Sequence, residues 1–478
     1  MVLSPLALVV LLAVPLLFGA ATLRALGLRF ATDRIGYLGW AWLVGCLGLA
    51  VLETVRLLFE LPSPRSVVTG AVLASGALLL VRWRASPVPR AGPPWKARGL
   101  GERLLAGALA LVLLVTLTRI LRGSLAVMVV DDETNFWALR AKLFFQAGSF
   151  GGAYAEAMKL RALPNGSYPF LNPLLQLWVF DLAGTITHQI NRLPIEVCSF
   201  ALYLCAASAF RRWSQPWIGA ALLVLLATCS QSDFVARKAN SDVLVALGAL
   251  VAVDALARWR DEGHGGWLGL ASLAGAFLLW SKKEGTLYVL AFAVAWCLLH
   301  ARDRASLRRI VQPSPRTLWV LPLVVVLAVT TIHNTWFDAA GSYQLDGQAL
   351  MGVLTYLPAN VLPALAYLFG LALKPSFNLV PAMFLVLAVV FGGSALRSPV
   401  LRTVPLMLLV ATGVCFLAFV KATPADLDWL LDTAGTRVLF QAVPLELLWI
   451  AALAQRLFDA SEEPRPLETI DVPRGKGV

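Results

Sequence analysis

Asp131, Asp132 and Glu133 are three consecutive carboxylates placed just after a long apolar segment, residues 104–121, and a short linker. Carboxylates at the mouth of a membrane span are costly to hold near hydrocarbon, so they are functional suspects by default. A single Asp would be enough to stop a helix in the headgroup layer. A positioned carboxylate can take the proton of an attacking hydroxyl, while cations hold a phosphate leaving group. Candidate cations are Arg140, Lys142, Arg237, Lys238, Lys282, Lys283 and Arg437. Other candidates are Tyr168, Asn240, Asp242, Glu284, Asp428, Trp429 and Gln441. Arginine offers phosphate a bidentate fork and lysine a mobile point charge. Each residue also has a plainer reading. Lys282, Lys283, Arg237 and Lys238 read equally as headgroup-level cations, and Asp242 as a charge favoured at a helix N-terminus. Arg437 resists that treatment, because an arginine at the outer start of the last span runs against the loop bias.

The elements that position these residues follow from composition. Hydrophobic residues make up 59% of the 478-residue chain and charged residues 14%, with mean hydropathy +0.74. A soluble domain is nearer one-half apolar and one-quarter charged, so the chain is expected to be an all-α polytopic membrane protein. The 40 Lys and Arg against 28 Asp and Glu give a formal charge of +12. In this class the excess marks cytoplasmic loops, not nucleic-acid binding. The six cysteines lie singly, without disulfide or zinc-site spacing, and read as small core residues.

Predicted spans fall at 3–23, 37–59, 66–84, 104–121, 195–213, 216–230, 240–257, 267–281, 285–300, 317–335, 378–396, 403–421 and 438–456, about thirteen by length. Arg24, Arg29 and Arg34 follow the first span, which places the N-terminus outside, and Arg84, Arg90, Lys96 and Arg98 place the third loop inside. The carboxylate cluster then faces the periplasm and the C-terminus the cytoplasm. Parity makes 168–186, interrupted by Pro169 and Pro173, an interfacial helix, and makes 356–373 re-entrant or interfacial. The only intramembrane pair of note is Glu53 with Arg56, at salt-bridge spacing within one helix. The expected divisions are leading spans and a basic loop, 1–103, a catalytic membrane module, 104–456, and a polar, Pro-bearing disordered tail, 457–478.

Four stretches, in order, resemble the GT-C superfamily of membrane glycosyltransferases. They are the acidic group with a Trp-x-x-Arg-Ala-Lys helix (Trp137 to Lys142), Tyr-Pro-x-x-x-Pro-Leu-Leu-Gln (Tyr168 to Gln176), Lys-Lys-Glu-Gly (Lys282 to Gly285), and Asp428-Trp429 followed by Thr436-Arg437, Gln441 and Pro444. The chain departs from simpler members in its extra leading spans and in having Asp-Asp-Glu where many have one Asp-Glu pair. The resemblance implies juxtamembrane helices in the first large periplasmic loop and inverting transfer from a polyprenyl-phosphate-linked sugar. Asp132, or else Asp131 or Glu133, would be the base. Arg437, Lys282, Lys283 and Lys142 would hold the donor phosphate. Asp242, Glu284, Trp137, Tyr168 and Gln441 would orient the substrates. The acceptor would be a cell-envelope glycan, lipid or protein, and the setting a bacterial inner membrane. No certain cofactor is implied: three carboxylates could hold a divalent cation, yet several superfamily members work without one. The competing classes are a transporter or flippase of lipid-linked saccharides, which usually shows an internal repeat and midplane ionisable groups, and a ligase using a diphosphate-linked donor.

Overall fold

The computed structural model describes residues 3–80, 99–125, 132–160, 167–230, 240–300, 321–336, 347–395 and 399–462. Within them the chain is helical with no strand, as long apolar runs require, since a helix satisfies its backbone polar groups within one segment. In order come α1 (Pro5–Ala25), α2 (Arg34–Leu58), α3 (Arg65–Leu80) and α4 (Leu100–Leu125). A π-helical turn, Asp132–Trp137, leads into the short helices α5 (Ala138–Ala147), α6 (Gly152–Lys159) and α7 (Leu171–Ala183). After a 3-10 turn at Ile190–Arg192 follow α8 (Leu193–Trp213), α9 (Pro216–Thr228), α10 (Asp242–Glu262), α11 (Gly265–Ser281), α12 (Lys283–His300) and α13 (Leu321–Trp336). The last part holds α14 (Gly347–Ala372), α15 (Val380–Ala395), α16 (Pro399–Val420), α17 (Pro424–Leu430) and α18 (Thr436–Glu462).

In its described residues every segment predicted to span falls on one of these helices. Among the described residues six stretches are long and apolar enough to cross a membrane: Pro5–Ala25, Arg34–Leu58, Leu100–Gly123, Ile190–Trp213, Met351–Ala372 and Ala425–Ala460. Several others, such as Gly265–Ser281 and Leu321–Trp336, are apolar but shorter. One of the six, within α14, covers the stretch expected to be re-entrant or interfacial. Asn360 Nδ2 on α14 donates to the carbonyls of Val420 and Ala422 at 2.9 and 2.7 Å, and the Tyr367 hydroxyl donates to Asp432 at 2.5 Å. These bonds lay α14 beside the connection from α16 to α18. The short α7 lies in the other stretch expected not to span. Its 13 residues give about 20 Å of length, too little to cross ~30 Å of hydrocarbon. Leu171 through Asp181 are all buried within the protein, where α7 packs against α2 and α5.

The larger of two apolar clusters among the described residues runs from Leu3 to Leu453, so the leading helices share it with the rest; the smaller joins Ala364, Phe419, Leu427 and Leu431. α1 and α2 touch through their backbones. A Cβ added at Gly19 would lie 1.8 Å from the Ala41 carbonyl oxygen, and one at Gly45 1.8 Å from that of Pro15, the close approach that small residues permit. All six cysteines are free thiols, five of them buried and Cys297 exposed.

Helix termini gather at two ends. At one end Asp33, which caps α2, meets Ser208 of α8 and Arg258 of α10. At the other, Arg56 of α2 meets Asp181 of α7 at 3.1 Å, and the starts of α10 and α18 meet the turn between α11 and α12.

Candidate functional site

That turn between α11 and α12 is the centre of the site. α11 ends at Ser281, Lys282 is extended (φ −164°, ψ 159°), and α12 begins at Lys283. The Gly285 amide closes the turn on the Lys282 carbonyl at 2.9 Å. A Cβ at Gly285 would stand 2.0 Å from the Leu278 carbonyl oxygen, so the glycine of Lys-Lys-Glu-Gly is a steric necessity. The turn drives Lys282 inward, where its Nζ lies 3.0 Å from Asp242 Oδ1 and 2.9 Å from Glu284 Oε1. Gln441 Nε2 donates to the same Asp242 oxygen at 2.7 Å. Arg437, one helical turn before Gln441, is close enough for its charge to act on both Asp242 and Lys282. Burial works against the Lys282 charge, but the two carboxylates more than offset it and hold the ammonium above its ordinary range. Lys282 is therefore engaged between two acids.

A chain of buried amides fixes the start of α10. Asn191 Nδ2 donates to Gln176 Oε1 at 2.5 Å, Gln176 Nε2 to Asn172 Oδ1 at 2.8 Å, and Asn172 Nδ2 to Ser241 Oγ at 3.1 Å. Ser241 immediately precedes Asp242. The residue after Asn191 is Arg192, which pairs with Glu196 at 3.2 Å and donates to the Gly123 carbonyl near the end of α4. One 3-10 turn thus ties the Asp242 side of the site to the helix that leads toward the acidic cluster. The sequence shows Asn172 and Gln176 one helical turn apart on an otherwise apolar helix, a signal that could have revealed this chain.

The first loop supplies an aromatic and cationic flank. Phe136, Trp137 and Tyr168 pack edge to face, with centroids 4.3 to 5.9 Å apart. The fully buried Arg140 guanidinium stands 4.8 Å from the Phe136 ring and donates to the Tyr168 carbonyl at 2.7 Å. Lys283 Nζ lies 4.9 Å from the Tyr168 ring, within the electrostatic reach of Arg140 and Lys421. Beyond them the Tyr154 hydroxyl and His333 Nε2 are hydrogen-bonded at 2.8 Å, joining α6 to α13. Lys142 on α5 is half-buried, and burial alone lowers its pKa.

The structure thus brings Asp242, Lys282, Glu284 and Gln441 into one network, with Arg437 in reach, and sets Trp137, Tyr168 and Lys283 on the flank. It does not gather Asp428 or Trp429, both exposed on α17. Asp131, Arg237, Lys238, the side chains of Asp132 and Glu133, and the tail from 463 onward lie outside the described residues. Among the described residues no group of three or more His, Cys, Asp or Glu is placed to hold a metal ion. Asn240, two residues before Asp242 in the chain, is buried without a side-chain hydrogen-bond partner among the described residues.

An apolar cavity of about 260 Å³ lies one helical turn from the site, lined by residues including Ala249, Leu278, Tyr288, Phe292, Leu323 and Met407. No family model, curated protein or solved structure matches the chain.

Proposed function

We propose that this chain is a GT-C-like glycosyltransferase of about thirteen spans. It moves a sugar from a polyprenyl-phosphate donor to an acceptor hydroxyl at the periplasmic face of a bacterial inner membrane. The observation that carries the reading is the convergence of Lys282, Asp242, Glu284 and Gln441, distant in sequence, next to the cationic flank of Lys283, Arg140 and Lys421. A carboxylate of the acidic cluster, Asp132 or Asp131, removes the acceptor proton. The acceptor oxygen forms its bond to the anomeric carbon as the carbon–oxygen bond to phosphate breaks, and the phosphate departs with the electron pair. Lys283, Arg437 and Lys142 hold that phosphate. Lys282 acts one step back, fixing Asp242 and Glu284 for the sugar. The neighbouring apolar cavity is suited to part of the prenyl chain. The test is release of prenyl phosphate from short-chain prenyl-phosphate sugars, incubated with the purified protein and cell-envelope acceptors. Release that requires both protein and acceptor is expected; intact donors across neutral, amino and uronic sugars would contradict the reading.

One observation favours a transporter of lipid-linked saccharides instead. Glu446, inside α18, is buried with its Oε2 unmatched among the described residues, and it lies within electrostatic reach of Tyr288. An ionisable group at such depth is a default mark of a transport path. Loss of saccharide translocation in Glu446→Gln, with no transfer in the unaltered protein, would favour this second reading.

A further inference from the structure

Three buried side chains of the network, and Asn240 two residues before Asp242 in the chain, carry polar atoms without a hydrogen-bond partner among the described residues. They are Asp242 through Oδ2, Glu284 through Oε2, Gln441 through Oε1, and Asn240 through both Oδ1 and Nδ2. Buried polar atoms are matched as a rule, and each exception calls for an explanation. Four of these five atoms are acceptors, so a group that satisfies them must donate hydrogen bonds. The amide of Asn240 offers an acceptor and a donor side by side, which a hydroxyl answers with both of its capacities.

Charge narrows the choice. Asp242 and Glu284 are balanced by Lys282 and Arg437, with Lys283, Arg140 and Lys421 adding positive charge alongside. An ammonium entering here would meet an excess of cations. A carboxylate would point its lone pairs at Asp242, Glu284 and the Gln441 carbonyl oxygen. An uncharged group rich in hydroxyls meets neither penalty. We propose, on the glycosyltransferase reading above, that the transferred group is a neutral polyhydroxylated ring seated against Asn240, Asp242, Glu284 and Gln441, and that amino and uronic sugars are rejected. Asn240 is a specificity-determining residue in this scheme.

The experiment is calorimetric titration of the full chain in lipid nanodiscs. The probes are a short-chain prenyl phosphate alone and the same lipid carrying glucose, galactose, mannose, arabinose, glucosamine with a free amine, or glucuronate. At least one neutral sugar is expected to bind about tenfold tighter than the bare lipid, with the amino and uronic forms no tighter than it. Asn240→Ala and Gln441→Ala should remove the gain while bare-lipid affinity stays. Asn240→Asp, which adds negative charge at the same place, should move the preference toward glucosamine, a gain that a merely misfolded variant cannot show. Affinity for glucosamine or glucuronate equal to that for the best neutral sugar would overturn the proposal. So would a neutral-sugar gain that survives both alanine variants, or no gain for any neutral sugar. If the bare prenyl phosphate itself fails to bind, the glycosyltransferase reading falls, and this one with it.

Discussion

The two ends of the molecule each hold a buried ion cluster, and the clusters are built differently. At the end away from the site, Arg258 donates to Asp254 at 2.8 Å, to Ser208 at 2.9 Å and to Asp33 at 3.4 Å. Its guanidinium also stands 5.1 and 5.0 Å from the rings of Trp40 and Trp267. Trp213 Nε1 donates to the second Asp254 oxygen at 3.0 Å, and the Ser208 hydroxyl to Asp33 at 2.5 Å. The side chains of Asp33, Ser208, Asp254 and Arg258 leave no buried polar atom unmatched. At the site end, one lysine serves two acids, and acceptors on Asp242, Glu284 and Gln441 stay unmatched among the described residues. A saturated cluster joins helices. A cluster with acceptors to spare is, on the reading proposed above, open to an incoming hydrogen-bond donor.

The sharpest way to break this contrast is to remove the cation of the saturated cluster. Arg258→Met should destabilise the protein by about 3–5 kcal/mol, because Asp254 and Asp33 lose their buried partner. Thermal unfolding of the detergent-solubilised protein would read this as the largest loss of the series, with sugar-donor affinity unchanged in the fraction that folds. Gly285→Ala comes next. Its Cβ cannot coexist with the Leu278 carbonyl, so α11 or α12 must shift, at a cost of about 1–3 kcal/mol. Because the shift displaces Lys282 and Glu284, prenyl-phosphate release should fall far more than stability. Breaking the amide chain should cost less. Gln176→Leu leaves Asn172 and Asn191 each short of one bond, roughly 1–3 kcal/mol, and the readout is donor affinity measured beside the unfolding midpoint.

The smallest effect concerns Lys142. Burial lowers its pKa, so as pH rises it gives up its proton before an ordinary lysine, whose value is about 10.4. Donor-phosphate affinity should therefore weaken on the alkaline side below that value. Lys142→Arg should remove the weakening, since arginine stays charged. An alkaline profile unchanged in Lys142→Arg would exclude Lys142 from phosphate binding.

The sequence made some of this legible and hid the rest for physical reasons. Helices were visible wherever hydropathy was continuous, and Lys282 to Gly285 stood out because its charges interrupt apolar runs. The role of Lys282 was hidden. Only folding brings Asp242 within 3.0 Å and turns a candidate phosphate binder into the centre of an ion network. Glu53 and Arg56 were recognisable by spacing, and their bond is 2.7 Å, but the third member, Asp181, comes from another helix. Asp254 and Arg258 carry the same local signal, yet their partner Asp33 lies far away in the chain. The burial of α7 was equally hidden. Its composition fits an interfacial helix, and only the fold shows that its side chains pack against α2 and α5. Asp428 and Trp429 match a pattern and stand exposed on α17, a placement the sequence did not show.

The most direct measurement pairs two readouts on one substitution, Asp242→Asn. It keeps the size of the side chain and leaves Glu284 to hold Lys282, so the unfolding midpoint should fall by no more than roughly 4 °C. Prenyl-phosphate release should drop about a hundredfold, some 2.7 kcal/mol in the barrier. Full release in Asp242→Asn, or loss of release only in proportion to lost folded protein, would contradict the account and make the Lys282 cluster a structural joint like that around Arg258.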